Sequence, residues 1–137
     1  MDASPQVRDA LLRLYDALRA GDADVFDDIV SPEAATVFIG SAPGEWVTDR
    51  ERLRAGFRPP GVRIDDEDPL AWAEGSIGWA ADSPTMFFGP DPVRTRLTSV
   101  WRLEDGAWRM VHMHVSLGVP DREAAELQRR WNAPSDS

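Results

Sequence analysis

The sequence has no cysteine and no lysine, a single tyrosine and only two histidines. Without thiols there is no disulfide, no thiolate zinc site and no cysteine nucleophile. No run of about 18 apolar residues occurs, so no membrane-spanning helix and no membrane partner are expected. The amino-terminal stretch carries acids where a signal peptide begins with basic residues, and a cytoplasmic location is expected. Basic side chains are in the minority, 15 against 24 acidic ones, for a net charge of −9. That field repels phosphate backbones, so no nucleic-acid partner is expected. What the 137 residues do contain is 42% hydrophobic side chains, six of them tryptophan, enough to build a buried core. The length suits one domain over 1–137, with an ordered core at about 5–131 and a frayed end at 132–137.

Helices come first along the chain. Ser4-Pro5 pairs an N-cap residue with the proline that best tolerates the first helical turn. Val7, Ala10, Leu11, Leu14 and Leu18 then recur at spacings of three and four, and Gly21 is placed to end the helix. Asp22 starts a short second helix with Val25, Phe26, Ile29 and Val30 inward. Thr48 to Glu51 has the form of a capping box for a third, running through Leu53 and Phe57. The period otherwise changes to two, and strands are expected at 35–39, 62–66, 70–74, 76–80, 85–88, 94–103 and 108–117. A short polar helix is expected at 121–131. Helices followed by an antiparallel sheet make an α+β fold.

Asp105-Gly106 marks a tight hairpin turn. Counting outward pairs Leu103 with Trp108, Trp101 with Met110, Ser99 with His112 and Leu97 with His114 on one face. The other face pairs Arg102 with Arg109, Val100 with Val111, Thr98 with Met113 and Arg96 with Val115. Both faces are then largely apolar, and helices can cover only one. A homodimer through the sheet is the expected cover for the other. Trp108 is expected in the core.

The run from Phe38 through Ile39, Gly40 and Glu45 to Trp46 leads into a capped helix. With Arg96 to Trp101 and Asp105 to Ser116, it resembles the SnoaL-like branch of the nuclear-transport-factor-2-like (cystatin-like) superfamily over 6–118. The final hairpin also resembles the association domain of calcium/calmodulin-dependent kinase II. The resemblance implies helices on a strongly curved antiparallel sheet that forms a cone with an internal pocket, and dimers made through the sheet. It spans isomerases, cyclases, dehydratases and non-catalytic assembly domains. Ser99 and Val115 stand where the kinase domain places pocket arginines, so a carboxylate site of that type does not carry over. Ketosteroid isomerases use a carboxylate base, a tyrosine of the first helix and a protonated acid. Tyr15 lies in the matching helix, but no pair of acids completes the set.

Each candidate site residue has two readings. His112 and His114 lie two apart on one strand. They are candidates for acid/base catalysis, against structural histidines near a dimer face. Two ligands without a third make poor evidence for metal, so no metal site is assigned and no cofactor is expected. Tyr15 is a hydrogen-bond donor to a ligand, or a packed ring. Arg96 is an anion anchor, or half of an ion pair with Glu45 or another acid. Trp46 is a wall or lid of the pocket, with Phe38 and Glu45 beside it. The acids 65–68 lack the spacing of a calcium loop and read as a solvated strand edge. Two functions follow. One is a homodimeric small-molecule binder, with cofactor-free isomerase, cyclase or dehydratase chemistry as its extension. The other is a scaffold with a vestigial pocket.

Overall fold

The computed structural model describes residues 1–132, so the expected fraying beyond Asn132 lies outside the described residues. Helix α1 spans Pro5–Ala20. Ser4 Oγ accepts the Val7 backbone N–H at 3.2 Å, and Gly21 closes the helix in the left-handed conformation at φ 62°. A single 3-10 turn, Ala23–Val25, leads into α2, Phe26–Ile29. Helix α3 is Arg50–Ala55, and its N-cap is Asp49 rather than Thr48: the Asp49 carboxylate accepts the Arg52 N–H at 2.8 Å. A last helix, α4, spans Asp121–Asn132 and buries none of its residues.

The strands are β1 (Asp2–Ala3), β2 (Val37–Ile39), β3 (Trp46–Val47), β4 (Ile64–Asp65), β5 (Leu70–Glu74), β6 (Ile77–Asp82), β7 (Thr85–Phe88), β8 (Asp91–Glu104) and β9 (Ala107–Leu117). They run in the order β1-β5-β6-β8-β9-β2-β3, with β7 pairing β4 and β8. Strands β6 and β7 share one edge of β8 in a single register, Asp82 opposite Leu97 and Thr85 opposite Arg94. Pro84 interrupts them, and its carbonyl accepts both the N–H and the hydroxyl of Thr95. The sheet is mixed rather than antiparallel throughout, because β2 lies parallel to β9. Nothing in the local sequence announces that long-range pairing.

The β8–β9 register departs from the expected count. Leu103 faces Trp108, and Trp101 faces Met110. Val100 then faces His112, Ser99 faces Met113, Thr98 faces His114, and Leu97 faces Val115. Val111 is left without a partner, a β-bulge. The apolar pattern explains it. A strict period of two from Met110 would bury His112 and His114 and expose Met113. Burying an unpartnered polar group costs roughly 1–3 kcal/mol, and leaving a methionine in water forfeits about 1.5–3 kcal/mol more. One extra residue lets Met110, Met113 and Val115 all enter the core, while the histidines turn outward. At the same point the Met110 carbonyl accepts the Ser31 N–H at 2.9 Å, tying the end of α2 to the sheet.

The core lies between α1–α3 and the inner face of this sheet. Trp101 is fully buried, with its indole N–H donating to Ser99 Oγ at 2.8 Å. Trp108, nearer the turn, is only partly buried against that core. The 65–68 acids do more than stay solvated. Glu67 pairs with Arg19 and Asp68 with Arg8, which ties this loop to α1.

Trp101→Ala should therefore lower stability by about 3–5 kcal/mol, and Trp108→Ala by clearly less. Urea unfolding of the two variants checks this. An equal loss would place Trp108 in the core after all.

Candidate functional site

A cavity of about 380 Å³ opens between the helices and the inner face of the sheet. The apolar stripe of α1 contributes Leu14 and Leu18 to it, and the short α2 contributes Phe26. Strands β2 and β3 present Phe38 and Val47, the alternate residues to Ile39 and Trp46. Helix α3 and the residues after it add Leu53, Gly56 and Phe57. The far walls are Ile64 and Met86 on one side, and Met110, Met113 and Val115 on the other. The bulge at Val111 is thus what furnishes one whole wall. Among the described residues, two charged side chains line the space, Glu45 and Arg52.

The α3 wall is held by charge rather than by length. Phe26 and Phe57 meet edge to face at 5.2 Å, and the Arg50 and Arg54 guanidiniums sit over the Phe26 ring at 4.8 and 4.6 Å. Asp27 bridges both arginines at 2.7 and 3.1 Å. The hydrogen bonds from Arg54, then Arg50, hold its carboxyl below the usual carboxylate range. Glu45 is tied back into its own loop: Oε1 accepts the Ala42 N–H at 3.0 Å. Gly40 makes the room, since a Cβ there would overlap the Glu45 carboxylate.

The candidates from the sequence divide across two faces. Phe38 and Glu45 are at the cavity. Trp46 is not its wall: it pairs with Ile39 on the outer face and is 67% exposed. His112 and His114 also lie on that outer face, beside Val100 and Thr98. Arg96 lies there too, opposite Ser116 rather than Val115, and its guanidinium donates to the Leu117 carbonyl at 3.4 Å instead of meeting Glu45. Tyr15 is fully buried, but its hydroxyl donates to Asp82 Oδ2 at 2.9 Å and does not reach the cavity. Asp82 also accepts the N–H groups of Asp68 and Ser83. Burial, and then the Asp82 carboxylate, push the Tyr15 phenol far above its ordinary range. No general acid or base among the histidines and Tyr15 therefore converges on the cavity. Among the described residues, no three His, Asp or Glu side chains group as a metal site.

Arg52 was not among the sequence candidates. The signal was present: 52, 53, 56 and 57 share one side of a 3.6-residue period, so Arg52 borders the apolar stripe of α3. The expected register hid Met113, which it paired with Thr98 on the face opposite Met110.

Residues 7–120 match the family model of the SnoaL-like domain. No curated protein sequence matches this chain significantly. Among solved structures it resembles a candidate calcium/calmodulin-dependent protein kinase type II association domain from Thiobacillus denitrificans. That likeness has a TM-score of 0.66 at 20% identity and covers 85% of this chain and 98% of the other. It also resembles a nuclear-transport-factor-2-like protein from Cytophaga hutchinsonii, at TM-score 0.65 and 16% identity over 81% and 94%. A candidate ketosteroid isomerase from Parabacteroides distasonis gives TM-score 0.64 at 17% identity over 85% and 90%. At such identities the likeness shows the fold: helices and a mixed sheet arranged as an open cone.

Tyr15 is the only tyrosine, so the tyrosinate absorbance band reads it alone. The folded protein holds the phenol neutral above its unfolded value of about 10. The stability this gives is complete below that pH and is lost as pH rises beyond it. The band should appear only as the protein unfolds at high pH. Ionisation near pH ~10 with the fold intact would contradict the buried Tyr15–Asp82 pair. Tyr15→Phe should remove this alkaline sensitivity at a loss of about 1 kcal/mol.

Proposed function

Since the match over residues 7–120 makes this chain a member of the SnoaL-like domain family, we propose that it is a homodimeric small-molecule carrier or receptor. Its ligand is a small molecule whose apolar body is held in the cone. The observation that carries this reading is the cavity itself, enclosed by aliphatic, aromatic and methionine side chains with two charged groups at its margin. That composition is what a largely preformed site for an apolar ligand presents. Its volume sits near the small end of the roughly 300–1,000 Å³ usual for such sites.

Binding is favoured over catalysis because the imidazoles lie on the outer face and the phenol is engaged by Asp82. Cofactor-free isomerase, cyclase or dehydratase chemistry would have to run on Glu45 alone as base, with Arg52 as its electrostatic partner. A non-catalytic association domain is the second reading. It is supported by the exposed outer sheet face and by the likeness to a candidate kinase association domain.

The same outer face supports the homodimer. Trp72 and Trp79 stack at 6.5 Å and continue across the sheet through Val100 to His112. A neighbouring row runs from Leu70 through Ala81, Thr98 and His114 to Ile39 and Trp46. Leu70 is 65% exposed and Ile77 47%. Exposed tryptophan, leucine and isoleucine side chains on one sheet face mark an interaction surface, and a two-fold-related second copy would present the same patch to it.

Native mass spectrometry under gentle conditions should show a dimer of the 15.2 kDa chain, and Trp79→Glu should shift it to monomer. A wild-type monomer would remove the dimer. The neutral dye Nile red should bind saturably, and Met113→Trp, which fills the cavity, should abolish that binding with the far-ultraviolet circular dichroism unchanged. Undiminished dye binding in that variant would place the ligand elsewhere.

A further inference from the structure

We propose that the natural ligand is a compact aromatic carboxylate, its rings among the methionines and phenylalanines of the cavity and its carboxylate on Arg52. This rests on the cavity being a binding site and names the class of compound it takes.

The first observation concerns the arginines of α3 and its exit. Arg50 pairs with Asp27, Arg54 with Asp27 and Glu51, and Arg58 with Glu51. Arg52, between them, pairs with no carboxylate among the described residues. It is also the one of the four that lines the cavity. Its Nη2 donates to the Gly44 carbonyl at 3.0 Å, which holds the side chain towards the loop carrying Glu45. A guanidinium has five N–H donors in a planar fork, so most of them are left for a ligand. A carboxylate is the anion that this fork meets through two parallel hydrogen bonds.

The second observation is the lining. Three of the four methionines, Met86, Met110 and Met113, face the cavity together with Phe26, Phe38 and Phe57. Thioether sulfur makes favourable contacts with aromatic rings, and an unbranched methionine adapts its shape to a flat guest. A purely aliphatic guest would gain nothing from this choice over leucine. A volume of about 380 Å³ suits one or two fused rings.

Glu45 sets the sign of a control. It shares the cavity margin with Arg52 but does not ion-pair with it. Its charge opposes an incoming carboxylate, so neutralising it should strengthen the binding that neutralising Arg52 weakens. Glutamine at 45 can still accept the Ala42 N–H, and the loop is kept.

The experiment is a calorimetric or fluorescence titration of the whole protein with 2-naphthoic acid and with the neutral isostere 2-naphthamide, at low and at high salt. The acid should bind about tenfold more tightly than the amide, an advantage that shrinks as salt is added. Arg52→Gln should erase the advantage, Arg52→Lys should keep part of it, and Glu45→Gln should enlarge it, with amide binding the same in all four proteins. Equal or tighter binding of the amide by the wild type would overturn the carboxylate while leaving the cavity as a binding site. An acid preference that survives Arg52→Gln would overturn Arg52 as its anchor. Failure of both compounds to bind would count against the cavity reading itself, and with it this inference.

Discussion

Met110, Met113 and Val115 can all reach the inner side of β9 only because Val111 has no partner in β8. Side chains on a regular strand alternate, and a pattern of apolar residues spaced three and then two cannot lie on one face of it. The chain resolves the conflict by adding one residue to one strand, which moves every later side chain to the opposite face. The consequences run in both directions. Inward, two methionines and a valine complete a wall that α1, α2 and α3 close from the other side. Outward, both histidines join a surface of tryptophan, valine and arginine. The Ser31 N–H on the Met110 carbonyl fixes the helical hairpin at this same place, so the helices and the sheet share one reference point.

The site that results has a clear chemical character. Its interior offers dispersion contacts and almost no hydrogen bonding, and its polar groups are confined to the margin. Tyr15 and Asp82 show the other way this chain uses buried polarity. There a phenol, a carboxylate and two backbone N–H groups satisfy one another and leave nothing over for a ligand. The Tyr15–Asp82 pair is thus closed within the fold, whereas Glu45 and Arg52 stay open at the cavity margin. The open cone common to the SnoaL-like domain accommodates both.

Much of the architecture was legible residue by residue. Ser4, Pro5 and Gly21 bound the first helix as their chemistry requires, and Asp105 and Gly106 both take the positive φ of the expected turn, 50° and 81°. These are local signals, each acting over a few residues. The misreadings began where a local signal was extended beyond its reach. Asp-Gly defines the register beside the turn, but not past Trp101, where burial of Met113 outweighs regular pairing. From that one step came the expected pairing of Arg96 with Val115 and of His112 and His114 with Ser99 and Leu97. Trp46 was misplaced for a related reason, since the hairpin of β2 and β3 alternates and gives the cavity Val47 instead. The parallel pairing of β2 with β9 has no local signature at all, because partners so far apart in sequence are chosen by the packing of the whole sheet.

The two sides of β9 can be watched separately in solution. Met86, Met110 and Met113 line the cavity, whereas Met1 and both histidines do not. The most direct test is a nuclear magnetic resonance titration of the ¹³C-methyl-methionine protein with 2-naphthoic acid, following the methionine methyl and histidine ring signals together. Three methionine methyl signals should move saturably, with Met1 and both imidazoles unmoved. Saturable movement of the imidazoles with the three cavity methyls unmoved would mean that the bulge is misplaced and that the histidines face the ligand.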